Sequence, residues 1–241
     1  MIGKAIIGKS FGGCIRYCLN PKKGAEILDQ HGLFGLNPKD IIHQFDVIRS
    51  QKPGLKSPVW HTPISFAHSD KVDDQLMIRI AKDYLTEMNL QDNQYLIVKH
   101  KDTKHEHMHI VINRIGFAGD VARDWKCRYK TKLAMQKLEK KYQLVIAEQQ
   151  GNKRKEAIAN QIEKGLANKE SVDQIFNRIE KLGFKIKYNK TSTGNIRGVS
   201  FIDQEKGICF KSSAINRDYT YSKLVQAAQK IQSFKTKKLT L

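Results

Sequence analysis

Four of the chain's eight histidines fall within ten residues, His100-Lys-Asp102-Thr-Lys-His105-Glu-His107-Met108-His109. Neutral imidazole is the commonest metal ligand among side chains, so this cluster is the first candidate for chemistry. The residues that follow, Ile110-Val111-Ile112, are β-branched and favour a strand. Side chains two apart on a strand share a face. His107 and His109 are therefore expected side by side, with Met108 turned into a core. His100 closes a second apolar run, Tyr95-Leu96-Ile97-Val98. A hairpin through Asp102–Glu106 brings it back beside the pair. Three imidazoles then stand on one sheet face, with coordination positions left for a substrate.

The other metal patterns do not fit. A helical His-Glu-x-x-His is absent, and His-x-His pairs its rings only on a strand. Cys14, Cys18, Cys127 and Cys209 make no finger pattern with the histidines and no disulfide framework. Cys14 and Cys18 have the spacing of one helix face. A reduced, cytoplasmic protein is expected.

Composition narrows the partner. Lys+Arg number 43 against 24 Asp+Glu, a net charge of +19. An excess of that size predicts a polyanionic partner, nucleic acid first, with an anionic membrane surface or the ribosome as alternatives. No stretch approaches the ~20 apolar residues of a spanning helix. The opening Met-Ile-Gly-Lys-Ala-Ile-Ile-Gly-Lys lacks the apolar core and cleavage site of a signal peptide.

The elements that must position the histidines read as an α+β pattern, a central antiparallel sheet with helices packed on it. Residues 2–7 are an opening strand, Phe11-Gly12-Gly13 a turn, and 14–19 a short helix ended by Asn20-Pro21. A helix starts at Pro38-Lys-Asp40 and carries Ile41, Ile42, Phe45 and Ile48 at helical period. Residues 59–66 alternate as a strand, and Pro63 argues for an edge or a bulge. Leu76, Ile80, Tyr84 and Met88, widened by Leu85, form the stripe of an amphipathic helix. A basic helix over 130–142 places Leu133 and Leu138 on its buried side.

The polar stretch 149–155 is the expected boundary, dividing a domain at 1–148 from a basic region at 149–241. Residues 151–241 carry 19 Lys+Arg against 8 Asp+Glu, the first 150 residues 24 against 16. The smaller part is the more densely basic and reads as a DNA-binding α/β module. It shows a helix (Val172, Ile175, Ile179, Leu182) stopped at Gly183, strands near 184–189, 196–202 and 207–211, and a last helix over 220–232.

A histidine metal site on a basic protein suggests phosphodiester chemistry, the ion acting as a Lewis acid on a phosphate oxygen. Imidazole donors suit one borderline ion such as manganese, zinc or cobalt, with magnesium a further candidate. A single ion leaves the nucleophile to be supplied elsewhere.

At this point the residues carry a resemblance. His107-Met-His109 resembles the His-hydrophobic-His (HUH) motif of the endonuclease superfamily of that name. The longer string His100-x-Asp102-x-x-x-x-His107-x-His109-Ile-Val-Ile-Asn113-Arg114 is similar to the third motif of plasmid mobilisation relaxases of the MobA type. Pro58-Val-Trp-His61-Thr-Pro-Ile-Ser65-Phe66 and the helix after it resemble the second motif region. Ile15-Arg16-Tyr17-Cys-Leu-Asn20-Pro-Lys-Lys-Gly24-Ala-Glu resembles the first, whose tyrosine is the nucleophile. The segments run in the family's order over about residues 1–145. Ile196-Arg-Gly198-Val-Ser-Phe201 and Phe210-Lys-Ser-Ser213 look like the basic tail module of some relaxases.

The resemblance implies that Tyr17 attacks a scissile phosphate at an origin of transfer. One strand is nicked, a 5′-phosphotyrosyl link forms, and a 3′ hydroxyl is left. Free tyrosine ionises only near pH ~10, so cations near a phenol nucleophile are needed. His100, His107 and His109 become the metal ligands, holding manganese or magnesium, with zinc or cobalt as alternatives. Asp102 becomes an acceptor that fixes a ligand tautomer, and His105 a turn residue or alternate ligand. Arg16, Ser65, Asn113 and Arg114 become DNA contacts. His61 and His68 are expected to be structural or surface residues, and Tyr219 and Tyr221 packing or stacking residues. Implied partners are single-stranded origin DNA, accessory mobilisation proteins and the coupling protein of a bacterial conjugation system. Two other readings stay open: a replication initiator of the same superfamily, and a basic accessory protein that binds DNA without nicking it.

Overall fold

The computed structural model describes residues 1–238 of the chain. It divides into two compact units, Met1–Ala147 and Glu148–Leu241. The first is built on a six-stranded antiparallel sheet. Its strands are β1 (Ile2–Gly3), β2 (Ile6–Gly8), β3 (Glu26–His31), β4 (Val59–Ser65), β5 (Tyr95–His100) and β6 (His107–Asn113). They lie in the order β1-β4-β6-β5-β3, with β2 also on β4. Its helices are α1 (Phe11–Cys18), α2 (Pro38–Arg49), α3 (Asp74–Glu87) and α4 (Cys127–Lys141). This is the expected α+β class.

Period-two alternation sorts the sheet into two faces. Tyr95, Ile97, Met108, Ile110 and Ile112 share a core with Met77, Ile80, Tyr84 and Leu85 of α3 and with Ala134, Met135 and Leu138 of α4. Leu96, Val98 and Val111 point the other way and meet Phe11 and Ile15 of α1 and Ile41 and Phe45 of α2. The buried hydroxyl of Tyr84 lies 3.0 Å from Thr62 Oγ1 and 2.9 Å from Thr131 Oγ1, tying β4 to both α3 and α4. A buried hydroxyl without such partners would lose stability.

Several local expectations need correcting. The opening strand is two short pieces, and the reason lies across from it. Pro63 is internal to β4, not on an edge, because β4 pairs with β6 on one side and with β1 and β2 on the other. Its carbonyl accepts from Lys4 N at 3.3 Å, so its missing N–H faces the first-strand side. The ladder there skips from Gly3↔Ile64 to Ile6↔His61. Phe11-Gly12-Gly13 is the first turn of α1, not a loop before it, because Ser10 caps the helix by accepting from Gly13 N. Leu133 is 40 % exposed. The buried stripe of α4 is Thr131, Ala134, Met135 and Leu138.

The second unit has its own core. Most of α5 (Ala147–Ala167), α6 (Val172–Lys181), α7 (Ser212–Ile215) and α8 (Tyr221–Lys238) surround a sheet of β7 (Phe184–Lys190), β8 (Ile196–Asp203) and β9 (Cys209–Lys211). Ile158, Ile162, Ile175, Phe176, Phe184, Phe201 and Leu224 fill it. The polar stretch 149–155 is helical and part of α5. Its Arg154 Nε reaches the buried carboxylate of Asp203 at 2.6 Å. Tyr219 is a packing residue whose hydroxyl donates to Glu163 at 2.6 Å, and Tyr221 lies edge-on to Tyr188.

Candidate metal centre and the tyrosine above it

The hairpin between β5 and β6 forms in the expected register, His100↔His107 and Val98↔His109. Paired residues of antiparallel strands share a face, so the three rings stand together on the α1 side while Met108 is buried on the other. All three histidines are buried, and their ligand atoms lie within 4.8 Å of one another.

Each ring is turned by a hydrogen bond at one nitrogen. His100 Nε2 donates to the Cys18 carbonyl at 2.7 Å, an acceptor left over at the C-terminal end of α1. His107 Nδ1 donates to the His105 carbonyl at 3.0 Å. His109 Nδ1 is 2.9 Å from Nε2 of His61. The remaining nitrogens of His100 (Nδ1) and His109 (Nε2) are buried without a partner. Burial pushes His109 down to about 3 and His100 below the usual imidazole range, with the neighbouring rings adding to the effect. Both are thus neutral near pH 7 and present lone pairs. Converging lone pairs in a buried pocket are the donor set of a divalent cation. The residues fit the metal that the sequence implies.

The fourth cluster histidine stands apart. His105 stacks on His68 with ring centroids 3.7 Å apart and is not among the three gathered rings. Its main chain matters more than its ring, because its carbonyl turns His107. Asp102 reaches the His107 ring from its other end, its Oδ1 3.3 Å from Nε2, so this ring lies between two acceptors. Its Oδ2 accepts from Lys23 Nζ at 2.7 Å, and this bond keeps the carboxyl below the usual carboxylate range.

Tyr17, on the last turn of α1, lies over the imidazoles. Its ring centroid is 5.6 Å from that of His109, 6.0 Å from His100 and 6.4 Å from His61. The side chain is 47 % exposed, so a phosphate can reach it from solvent. Lys23 Nζ sits 4.7 Å from the ring centre. Its pKa is raised, first by the Asp102 hydrogen bond, so it is a cation beside the phenol. The Pro21–Lys23 turn, capped by Asn20 and closed by left-handed Gly24, carries Lys23 back under Tyr17.

The remaining candidates separate. Arg16 is exposed on α1. Ser65 is exposed at the end of β4, in register with His107. Asn113 and Arg114 are not free for DNA. Asn113 is fully buried, donates to the Phe45 carbonyl at 3.1 Å and accepts from Ile115 N. Arg114 is buried, donates to the carbonyls of Ser57 and Ala122 and pairs with Asp124. These two residues close the end of β6.

Two residues were missed. His61, expected to be structural or surface, touches His109 and stands beside Tyr17; the alternation Val59-x-His61-x-Pro63 on a strand could have placed it on this face. Lys23 sits in a turn whose Asn20-Pro21 and Gly24 were visible, but its return to Tyr17 is a tertiary fact.

Fold and site together define an α+β domain centred on histidines, with a tyrosine over three imidazoles. The chain belongs to the relaxases: the model of the MobA/VirD2-like relaxase nuclease domain matches residues 17–144, within the first unit and starting at Tyr17 itself. The family comprises metal-dependent DNA nucleases that act on single-stranded DNA at an origin. No match was found among curated proteins or among solved structures. No helix among the described residues is long and apolar enough to cross a membrane.

Proposed function

We propose that this chain nicks one DNA strand at an origin of transfer, for plasmid or mobile-element mobilisation, with Tyr17 as the nucleophile. The observation that carries this reading is the position of Tyr17, half-exposed beside the buried rings of His100 and His109, whose unpartnered nitrogens gather with His107.

Tyr17 Oη attacks the scissile phosphorus and loses its proton. The bond from phosphorus to the 3′ oxygen breaks, and that oxygen takes up a proton to become a 3′ hydroxyl. The product is a 5′-phosphotyrosyl link, which conserves the bond's energy and lets the 3′ hydroxyl reverse the step. Lys23 favours the phenolate by its charge and stays in place through Asp102. His100, His107 and His109 would hold a divalent cation, which would supply Lewis acidity to the phosphoryl transfer. Manganese or magnesium is the proposed ion, with zinc or cobalt able to replace it in an imidazole site.

Arg16 and Ser65 flank the site and take the DNA backbone. The C-terminal unit adds a basic binding surface, with exposed Lys185, Lys187 and Lys190 on β7 and Arg197 on β8. Accessory mobilisation proteins and a coupling protein complete the transfer machinery in the bacterial cytoplasm, as the family implies.

The test is a covalent adduct. Purified protein, a single-stranded oligonucleotide spanning the origin and manganese should give a band that survives a denaturing gel. Tyr17→Phe should abolish it. Binding without any adduct on the cognate origin would favour a basic accessory protein instead.

A further inference from the structure

A second group of donors lies behind the first. Cys14 and Cys18 are four residues apart on α1, one turn, and so face the same way. Opposite them on β4 is His61. The two sulfurs and a ring nitrogen lie within 4.8 Å of one another, and Cys18 Sγ is 3.8 Å from His61 Nε2. A tetrahedral ion with bonds of about 2.3 Å to sulfur and about 2.0 Å to nitrogen holds such atoms about 3.6 Å apart. Both cysteines are free thiols. Neither thiol has a part in the nicking chemistry.

From this geometry we infer that Cys14, Cys18 and His61 form a separate site for a thiophilic divalent ion of the zinc type. Two thiolates and an imidazole are a zinc donor set, softer than the all-nitrogen triad in front of it. Both sulfurs bind as thiolates, and any thiol proton still held goes to solvent. Binding also uses a lone pair already engaged, because His61 Nε2 is the atom that meets His109 Nδ1 at 2.9 Å. Filling the rear site therefore withdraws the partner that turns His109, and it fixes the helix that carries Tyr17. The two sites are coupled through one imidazole, and a thiophilic ion in the rear site opposes metal binding in the front one. This inference stands whether or not the chain nicks DNA.

The test uses the full-length, reduced protein titrated with cobalt(II). The expected result is a thiolate-to-cobalt charge-transfer band in the near ultraviolet. Cys14→Ser should abolish it, and the pair His107→Ala/His109→Ala should retain it. A measurement on the unaltered chain guards against a variant that misfolds. At zinc ten times above its Kd, alkylation of Cys14, mapped by mass spectrometry, should slow about tenfold by mass action. The exposed Cys209 should react as before. No charge-transfer band, a band that persists in Cys14→Ser, or unprotected Cys14 would overturn the site.

Discussion

The two faces of the central sheet are made by the same strands and end differently. On one, Met108, Ile110 and Ile112 meet α3 and α4, and the polar hydroxyls of Tyr84, Thr62 and Thr131 satisfy one another. On the other, the same strands alternate into His100, His107 and His109, and two buried nitrogens have no partner. One face is complete as folded. A divalent cation would complete the second, whose rings are turned by three hydrogen bonds at their other nitrogens. Unpaired polar atoms cost stability, so their persistence on one face marks where function sits.

Damage to either face of the sheet should leave the other face intact. His107→Ala/His109→Ala should abolish manganese binding by calorimetry while the fold persists by circular dichroism. DNA binding should survive better than cleavage. Equal loss of both would make the metal structural. Met108→Ala, on the other side of the same strand, should cost about 2–5 kcal/mol in denaturant unfolding yet leave one manganese bound. Loss of metal binding in that variant at full folding would show that the faces are not independent.

A smaller effect sharpens the role of Lys23. Lys23→Met should slow adduct formation by about tenfold or more, because it removes the cation beside the phenol and frees Asp102. Affinity for the oligonucleotide should change far less. A rate unaffected by this change would remove Lys23 from the site.

The smallest effect is in pH. In the metal-free protein His109 titrates near 3, below the ~6.5 of an unfolded histidine. The unfolded chain binds the proton first. The stability this ring contributes is therefore complete above about pH 6.5 and is lost as pH falls toward 3. The slope is up to about 1.4 kcal/mol per pH unit for one such histidine. Unfolding at pH 7 and pH 5 should show it, and His109→Asn should flatten it. The same face filled with metal should resist acid longer.

The hairpin was legible because strand alternation needs only local sequence. Ile110-Val111-Ile112 and Tyr95-Leu96-Ile97-Val98 declare two strands, and the histidines inherit their face from the period of two. β3 was not legible, because its residues are mostly polar and half-buried at a sheet edge. Helix α1 hid behind two glycines, with Ser10 as the one clue to its true start. Asn113 and Arg114 look like contact residues in the motif string, and only the three-dimensional structure reveals that their side chains are consumed by backbone carbonyls. His61 and Lys23 join the site through pairing and a turn, which a linear string conceals.

In the proposed function the imidazole face serves Tyr17. The most direct test is to digest the covalent protein–DNA complex and identify the modified residue by mass spectrometry. The account predicts a 5′-phosphonucleotide on the peptide containing Tyr17, formed only with a divalent ion and absent from His107→Ala/His109→Ala. A nucleotide on Tyr219, Tyr221 or any residue other than Tyr17, or an adduct that forms without metal, would contradict it.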